Sequence, residues 1–134
     1  EAPRQEGSAA ATRVLVVEDD EAVRRYLCRV LRRHGLHVEE AASPAEARHR
    51  CEELSGSIDV LLSDMVMPGG SGAELAVHVR TTCPDIGIVL MSGYTEEAFR
   101  AEHSLAETLF LEKPFSTDAL LAALAHAAAL HSGN

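Results

Sequence analysis

Asp64 ends an apolar run, Val60-Leu61-Leu62-Ser63, and is followed by Met65-Val66-Met67-Pro68 and the glycines Gly69, Gly70 and Gly72. A buried strand that stops on a carboxylate and opens into a glycine loop places that carboxylate at the strand's carboxyl end. Taken alone, such an Asp starts a turn or caps the next helix. It does not stand alone. Glu18-Asp19-Asp20-Glu21 follow a second apolar run, Ser92 a third and Lys113 a fourth. Helix capping accounts for Asp20 and Glu21, because negative groups at a helix N-terminus gain a few tenths to about 1 kcal/mol each. Glu18 and Asp19 are left over. Carboxylates gathered in one place repel and do not all stay ionised without a counter-charge. A hard divalent cation, Mg²⁺ or Mn²⁺, suits carboxylates plus a carbonyl plus waters. With a lysine and a hydroxyl added, these are the parts of a phosphoryl-transfer site: a carboxylate nucleophile, a metal on one phosphoryl oxygen, and an ammonium and a hydroxyl on the others.

These residues meet only if the intervening elements bring them together. Arg13-Val14-Leu15-Val16-Val17 is too uniformly apolar for a strand with one wet face, and is expected to be a central strand of a parallel sheet. Val23, Leu27, Val30 and Leu31 recur at helical spacing up to about His34, and Gly35 supplies the stop. His37 to Glu40 is a weaker strand nearer an edge, and Ser43-Pro44 opens a helix from Ala45 to about Leu54. After the strand ending at Asp64 come a helix from Ala73 to Thr81, a buried strand Ile86 to Met91 ending in Ser92-Gly93, and a thinly striped helix over 95–106. Leu109-Phe110-Leu111 is a short strand, Glu112 to Phe115 a loop, and Ser116 or Thr117 caps a last apolar helix through about Leu130. The chain alternates strand and helix five times over. The expected class is α/β: a flavodoxin-like doubly wound (βα)5 fold, with a five-stranded parallel sheet of order 2-1-3-4-5 and helices on both faces. An eight-fold barrel is excluded by length. In that order strands one and three are neighbours at the switch point, so Asp19 and Asp64 converge there.

A length of 134 residues, 46% hydrophobic and 25% charged, fits one domain with a substantial core and not a disordered chain. The domain is expected over 13–131, with a small polar linker over 1–12 and a tail at 132–134. The linker and the missing initiator Met suggest something attached upstream, and no output module is expected downstream. Twelve basic against 21 acidic residues give a net charge of −9, which argues against nucleic acid as a direct partner. Five arginines on the first helix (Arg24, Arg25, Arg29, Arg32 and Arg33) are the local exception, read as a solvated face before a docking surface. Cys28, Cys51 and Cys83 are odd in number and widely spaced, suggesting reduced thiols, and the seven histidines show no metal-ligand spacing. No apolar run is long enough to cross a bilayer, so a cytoplasmic location is expected, the cytosolic part of a membrane-bound sensor kinase included.

Val16-Val17-Glu18-Asp19-Asp20, Asp64 with Met67-Pro68 and Gly72, Met91-Ser92-Gly93 and Lys113-Pro114-Phe115 resemble the motifs of the two-component response-regulator receiver domain, over roughly Arg13 to Leu130. The resemblance implies that Asp64 is the phosphoacceptor, taking its phosphoryl group from a phosphohistidine on a histidine kinase or histidine phosphotransfer domain. It implies that Asp19 and Asp64 bind the metal directly, Val66 through its backbone carbonyl and Glu18 through water. Ser92 would then hydrogen-bond the phosphoryl group, Lys113 would pair with it across a cis Lys113-Pro114 bond, and Ser92 with Phe110 would form the switch. Such a domain catalyses its own phosphorylation and dephosphorylation without being a turnover enzyme, as a monomer or weak dimer.

The sequence departs from the family pattern at Val66 and Tyr94, which flank the phosphate where other members often carry polar groups that steer water. Slow loss of the phosphoryl group is therefore expected. The wording of Val89 to Thr95 and Phe110 to Phe115 is similar to receivers at the C-terminus of hybrid sensor histidine kinases. A free-standing single-domain regulator is the main alternative, and an unphosphorylated pseudo-receiver serving as an interaction module a third. An aspartyl-phosphate phosphatase would place a second acid two residues after the nucleophile, where Val66 stands. A dinucleotide-binding turn would need glycines after the first strand, where four acids stand instead.

Overall fold

Runs of aliphatic residues that are apolar on both faces cannot leave either face in water, and here they pair into one parallel sheet covered on both sides. The computed structural model describes residues 12–54, 56–93, 97 and 108–131. Its elements run β1 Arg13–Val17, α1 Glu21–Arg33, β2 His37–Ala41, α2 Pro44–Glu53, β3 Val60–Asp64, β4 Val66–Met67, β5 Gly70–Ser71, α3 Gly72–Thr82, β6 Gly87–Ser92, β7 Thr108–Glu112 and α4 Thr117–His131. The large sheet has the order β2-β1-β3-β6-β7, all neighbours parallel, which is the expected 2-1-3-4-5 pattern. Tyr94, the tail at 132–134, the expected linker except Thr12 and the helix expected over 95–106 except Glu97 lie outside the described residues.

Alternation along the strands divides the core in two. Leu15, Leu61, Ile88 and Leu90 face α2 and α3, packing with Ala47, Cys51, Leu75 and Val79. Val16, Leu62, Val89 and Met91 face the other way, against Leu27 and Leu31 of α1 and Leu120 and Leu124 of α4. Each fully buried Leu or Ile contributes about 1.5–3 kcal/mol relative to exposure. β2 is an edge strand, as its weaker pattern suggested, and its carboxylates draw cations across it. Arg24 Nε and Arg32 reach Glu40 at 3.2 and 3.5 Å, while Arg13 and Arg50 reach Glu39 at 3.0 and 3.7 Å.

The helix ends follow local chemistry. Asp20 accepts from the Val23 N–H at 3.1 Å to cap α1. At its other end Gly35, at φ +88°, lets the Leu36 N–H return to the Leu31 carbonyl and its own N–H to that of Arg32, a Schellman closure. Ser43 caps α2 with Pro44 at the first turn, and Ser116 accepts from the Ala119 N–H at 3.0 Å to cap α4. α2 and α3 each begin one residue earlier than the pattern suggested, and β6 is shifted by one to include Ser92. The two-residue ribbon of β4 and β5 was not anticipated, since strands this short carry no periodic signal. Thr12, assigned to the linker, already accepts from the His37 N–H at 2.9 Å.

α4 lies directly on β6 at Gly87, where a Cβ would stand 2.5 Å from the Ala127 carbonyl oxygen. Gly87→Ala is expected to force the helix off the sheet and lower stability by about 1–3 kcal/mol, read as a lower urea midpoint with an unchanged m value. A midpoint equal to that of the parent would show that α4 shifts freely.

Candidate functional site

The site grows from strand order. β1 and β3 are adjacent with Val17 opposite Ser63, so the residues that follow, Glu18 and Asp64, leave the sheet side by side. One carboxylate oxygen each from Glu18, Asp19 and Asp64 lie within 4.8 Å of one another. Glu18 is buried, Asp64 half-buried and Asp19 exposed. Lys113 follows β7, two strands from β3, and its Nζ reaches across to donate to Asp64 Oδ1 at 3.0 Å. Its backbone N–H donates to the Ser92 carbonyl at 2.7 Å, and the Lys113-Pro114 peptide is cis. The fold therefore brings together Glu18, Asp19, Asp64 and Lys113.

The backbone around Asp64 is held from several directions. The buried Ser63 hydroxyl donates to the Asp64 carbonyl at 2.9 Å, and the Met65 N–H donates to the Met91 carbonyl at 2.9 Å. Gly72 packs against the same carbonyl so closely that a Cβ there would lie 2.4 Å from its oxygen. A capping box between Ser71 and Glu74 starts α3 at this point. Val66, in β4, turns its side chain outward and is 66% exposed.

Glu18 is fixed as firmly. Its N–H donates to the Ala41 carbonyl at 3.1 Å, its Oε2 accepts from the Asp20 N–H at 3.0 Å, and its carbonyl accepts from Arg24 at 2.9 Å. Arg24 was read as part of a solvated face, and that reading is corrected here: it bridges Glu18 and Glu40. Neither it nor the Gly72 contact carries a sequence signal, because both depend on which elements become neighbours. Ser63 did carry one, as the single hydroxyl in the apolar run before Asp64.

Glu18 Oε1 is buried without a hydrogen-bond partner among the described residues. Burial pushes the Glu18 carboxyl above its ordinary range, aided by Asp64 and Asp19 and opposed by the Asp20 N–H and Lys113. An orphaned carboxylate oxygen beside two more carboxylates is a hard-oxygen donor set, and it fits a small divalent cation. Ser92 ends β6 buried, opposite Glu112, and Phe110 sits half-buried against the α2 and α3 face.

Comparison with known proteins agrees with this fold. The response regulator receiver domain matches residues 14–125. The sensor kinase CckA of Brucella abortus is 47% identical over 110 residues, 81% of this chain but 12% of that protein. The response regulator receiver protein CpdR of the same organism is 35% identical over 104 residues, 77% of this chain and 85% of that one. Among solved structures, the receiver domain of the hybrid histidine kinase CckA superposes with a TM-score of 0.75 at 34% identity, covering 87% of this chain and 98% of that one.

The raised Glu18 value fixes a sign. Between the ordinary glutamate range and the raised native value the folded state holds more protons than the unfolded one, so stability falls as pH rises through that window. Glu18→Gln keeps an acceptor for the Asp20 N–H and removes the buried charge. In chelator at neutral pH it is expected to raise Tm by a few degrees, on the order of 1 kcal/mol. The gain should vanish at pH values below the glutamate range. A lower Tm at neutral pH would mean that the charge stabilises the metal-free fold.

Proposed function

The chain belongs to the response regulator receiver domain family of two-component systems, and from that premise we propose that Asp64 is its phosphoacceptor. The observation that carries the reading is the Lys113 ammonium 3.0 Å from Asp64, beside the carboxylates of Glu18 and Asp19. A carboxylate oxygen of Asp64 attacks the phosphorus of a phosphohistidine, the P–N bond breaks, and the imidazole leaves with the electron pair and takes up a proton. Lys113 is placed to follow the negative charge from the carboxylate onto the phosphoryl oxygens. Ser92 donates its hydroxyl to the same group, and its movement is coupled to Phe110 as the switch. Asp19 and Asp64 would hold Mg²⁺ or Mn²⁺ directly, with the Val66 carbonyl, and Glu18 through water. When bound, that cation supplies positive charge against the crowded oxygens.

The partners on this reading are histidine kinases or histidine phosphotransfer domains, and the location is the cytoplasm. Among the described residues no helix is long and apolar enough to cross a membrane. The chain spans 12% of the CckA sensor kinase it matches at 47% identity, which supports a place as the receiver portion of a hybrid kinase. The 85% coverage of CpdR supports the alternative, a free-standing regulator. The reading frame upstream of residue 1 decides between them.

Acetyl phosphate with Mg²⁺ is expected to place one acid-labile phosphoryl group on Asp64, seen by mass spectrometry and abolished by chelator or by Asp64→Asn. Lys113→Ala should slow labelling by roughly 100-fold. An unlabelled parent chain, or equal labelling of Asp64→Asn, would favour an inert interaction module. The apolar, exposed Val66 side chain has no polar group to orient water, so the phosphoryl group should decay slowly and Val66→Asn should shorten its lifetime. Decay faster in the parent than in Val66→Asn would exclude that role.

A further inference from the structure

Of the five arginines on α1, four are exposed and Arg24 is not: its side chain keeps 15% of its surface in solvent, against 71% for Arg25 and 51% for Arg32. Withdrawing a guanidinium from water is unfavourable unless its donors are used. Here Nη1 donates to the Glu18 carbonyl at 2.9 Å, and Nε donates to Glu40 Oε1 at 3.2 Å. The carbonyl it holds belongs to the peptide that joins Glu18 to Asp19, and a planar peptide held at its carbonyl is held as a whole. The next peptide is fixed too, because the Asp20 N–H donates to Glu18 Oε2 at 3.0 Å. Asp19 itself is exposed. Its two flanking peptides, not the packing of its side chain, therefore set where its carboxylate points. β2 supplies the far end of this brace. It carries no residue of the site, yet its last two residues grip Glu18 from both sides: the Ala41 carbonyl accepts the Glu18 N–H at 3.1 Å, and Glu40 anchors Arg24.

We propose that Arg24 is a positioning residue of the cation site, a two-ended brace that fixes the Glu18–Asp19 peptide against β2 and so sets the angle at which both carboxylates meet the ion. The inference rests on the proposed function, in which Asp19 and Glu18 hold Mg²⁺ or Mn²⁺. Charge and position make opposite demands on this residue. As a charge, a guanidinium beside an acidic cluster repels an arriving cation, so its removal would tighten binding. As a brace, it keeps the acids in register, and its removal loosens binding, as loss of an outer partner of a metal ligand does. The geometry favours the brace. Arg24 grips a backbone carbonyl of Glu18 and leaves the carboxylate oxygens to the ion, and its charge is already met by Glu40. Mg²⁺ is the sensitive probe of such a role, because it demands near-ideal octahedral geometry where Ca²⁺ accepts an irregular one.

Amide NMR titrations of the full chain with MgCl₂ and with CaCl₂ give both affinities without any phosphoryl transfer. Arg24→Met keeps the aliphatic stem and removes the donors. It is expected to raise the Mg²⁺ Kd about tenfold and the Ca²⁺ Kd by less than about threefold. Arg24→Lys restores the charge but not the fork that reaches both ends, and should stay at least about threefold weaker than the parent for Mg²⁺. Arg32→Met is the control: it removes the other cation on Glu40 and an equal charge from the same helix, and should leave the Mg²⁺ Kd within about twofold. Unchanged or tighter Mg²⁺ binding by Arg24→Met would overturn the proposal, as would full recovery by Arg24→Lys. So would equal losses in Arg32→Met and Arg24→Met, or equal losses for the two cations, which mark general loosening of the β2 edge. Should Arg24→Met not fold, Arg24→Lys carries the same comparison, with a parental Mg²⁺ Kd overturning the proposal. A parent chain that binds neither cation would remove the metal site of the proposed function, and this inference with it. A parent that binds Mg²⁺ no better than Arg24→Met would remove this inference alone.

Discussion

The contact between Lys113 and Asp64 is the one on which the rest of the arrangement depends. Two strand spacings, about 9.6 Å, separate β3 from β7, so the cation must cross the end of β6. A long flexible side chain can do this only if the residue beneath it is small, and Ser92 ends β6. The Ser92 carbonyl also receives the Lys113 N–H at 2.7 Å, which sets where the side chain begins its reach. Sheet order is thus part of the chemistry. Were β6 and β7 exchanged, the same residues would surround a different carboxylate or none.

The acids opposite this lysine are brought together by the burial of β1 and β3, whose residues Val14 to Val17 and Val60 to Leu62 are fully buried. Carboxylates this close repel, and one ammonium cannot neutralise three of them. The fold tolerates the imbalance by fixing the backbone so that the side chains cannot splay. Glu18 is tied at its N–H, its carbonyl and one carboxylate oxygen, while its other carboxylate oxygen is buried without a hydrogen-bond partner among the described residues. An acidic cluster with so little counter-charge responds to whatever else changes its charge, which is the property a phosphoryl acceptor needs.

The sequence revealed these features unevenly, for physical reasons. Strands apolar on both faces and chemistry-bearing residues at their ends announce a parallel sheet with a site at its carboxyl edge, so β1, β3 and the set Glu18, Asp19, Asp64 and Lys113 were legible. The role of each residue came from resemblance, because spacing alone does not distinguish Asp20, which caps α1, from Asp19, which joins the carboxylate cluster. What sequence did not disclose are contacts between elements distant in the chain. Arg24 looked like its exposed neighbours because helical period does not say which arginine meets the edge strand. Gly72 looked like one more loop glycine, although the 2.4 Å approach of its absent side chain to the Asp64 carbonyl makes it a packing residue. Ser71 and Glu74 had the spacing of a capping box, which the surrounding glycines obscured.

The same contacts distribute freedom around the site asymmetrically. On the α3 side Gly72 leaves no room between helix and strand, and the Met65 carbonyl is held by the Gly72 N–H at 2.8 Å. On the α1 side Glu18 is tied by Arg24 and by the N–H of Asp20, the residue that caps α1. Toward β6 and β7 the picture differs: the Lys113 side chain is 38% exposed and Phe110 only half-buried. A charge added at Asp64 first disturbs its ion pair with Lys113, and Lys113 is fastened by its backbone to Ser92. The residues able to respond are therefore those of the β6 and β7 ends. The proposed switch residues Ser92 and Phe110 both lie on that side of the site, in β6 and β7.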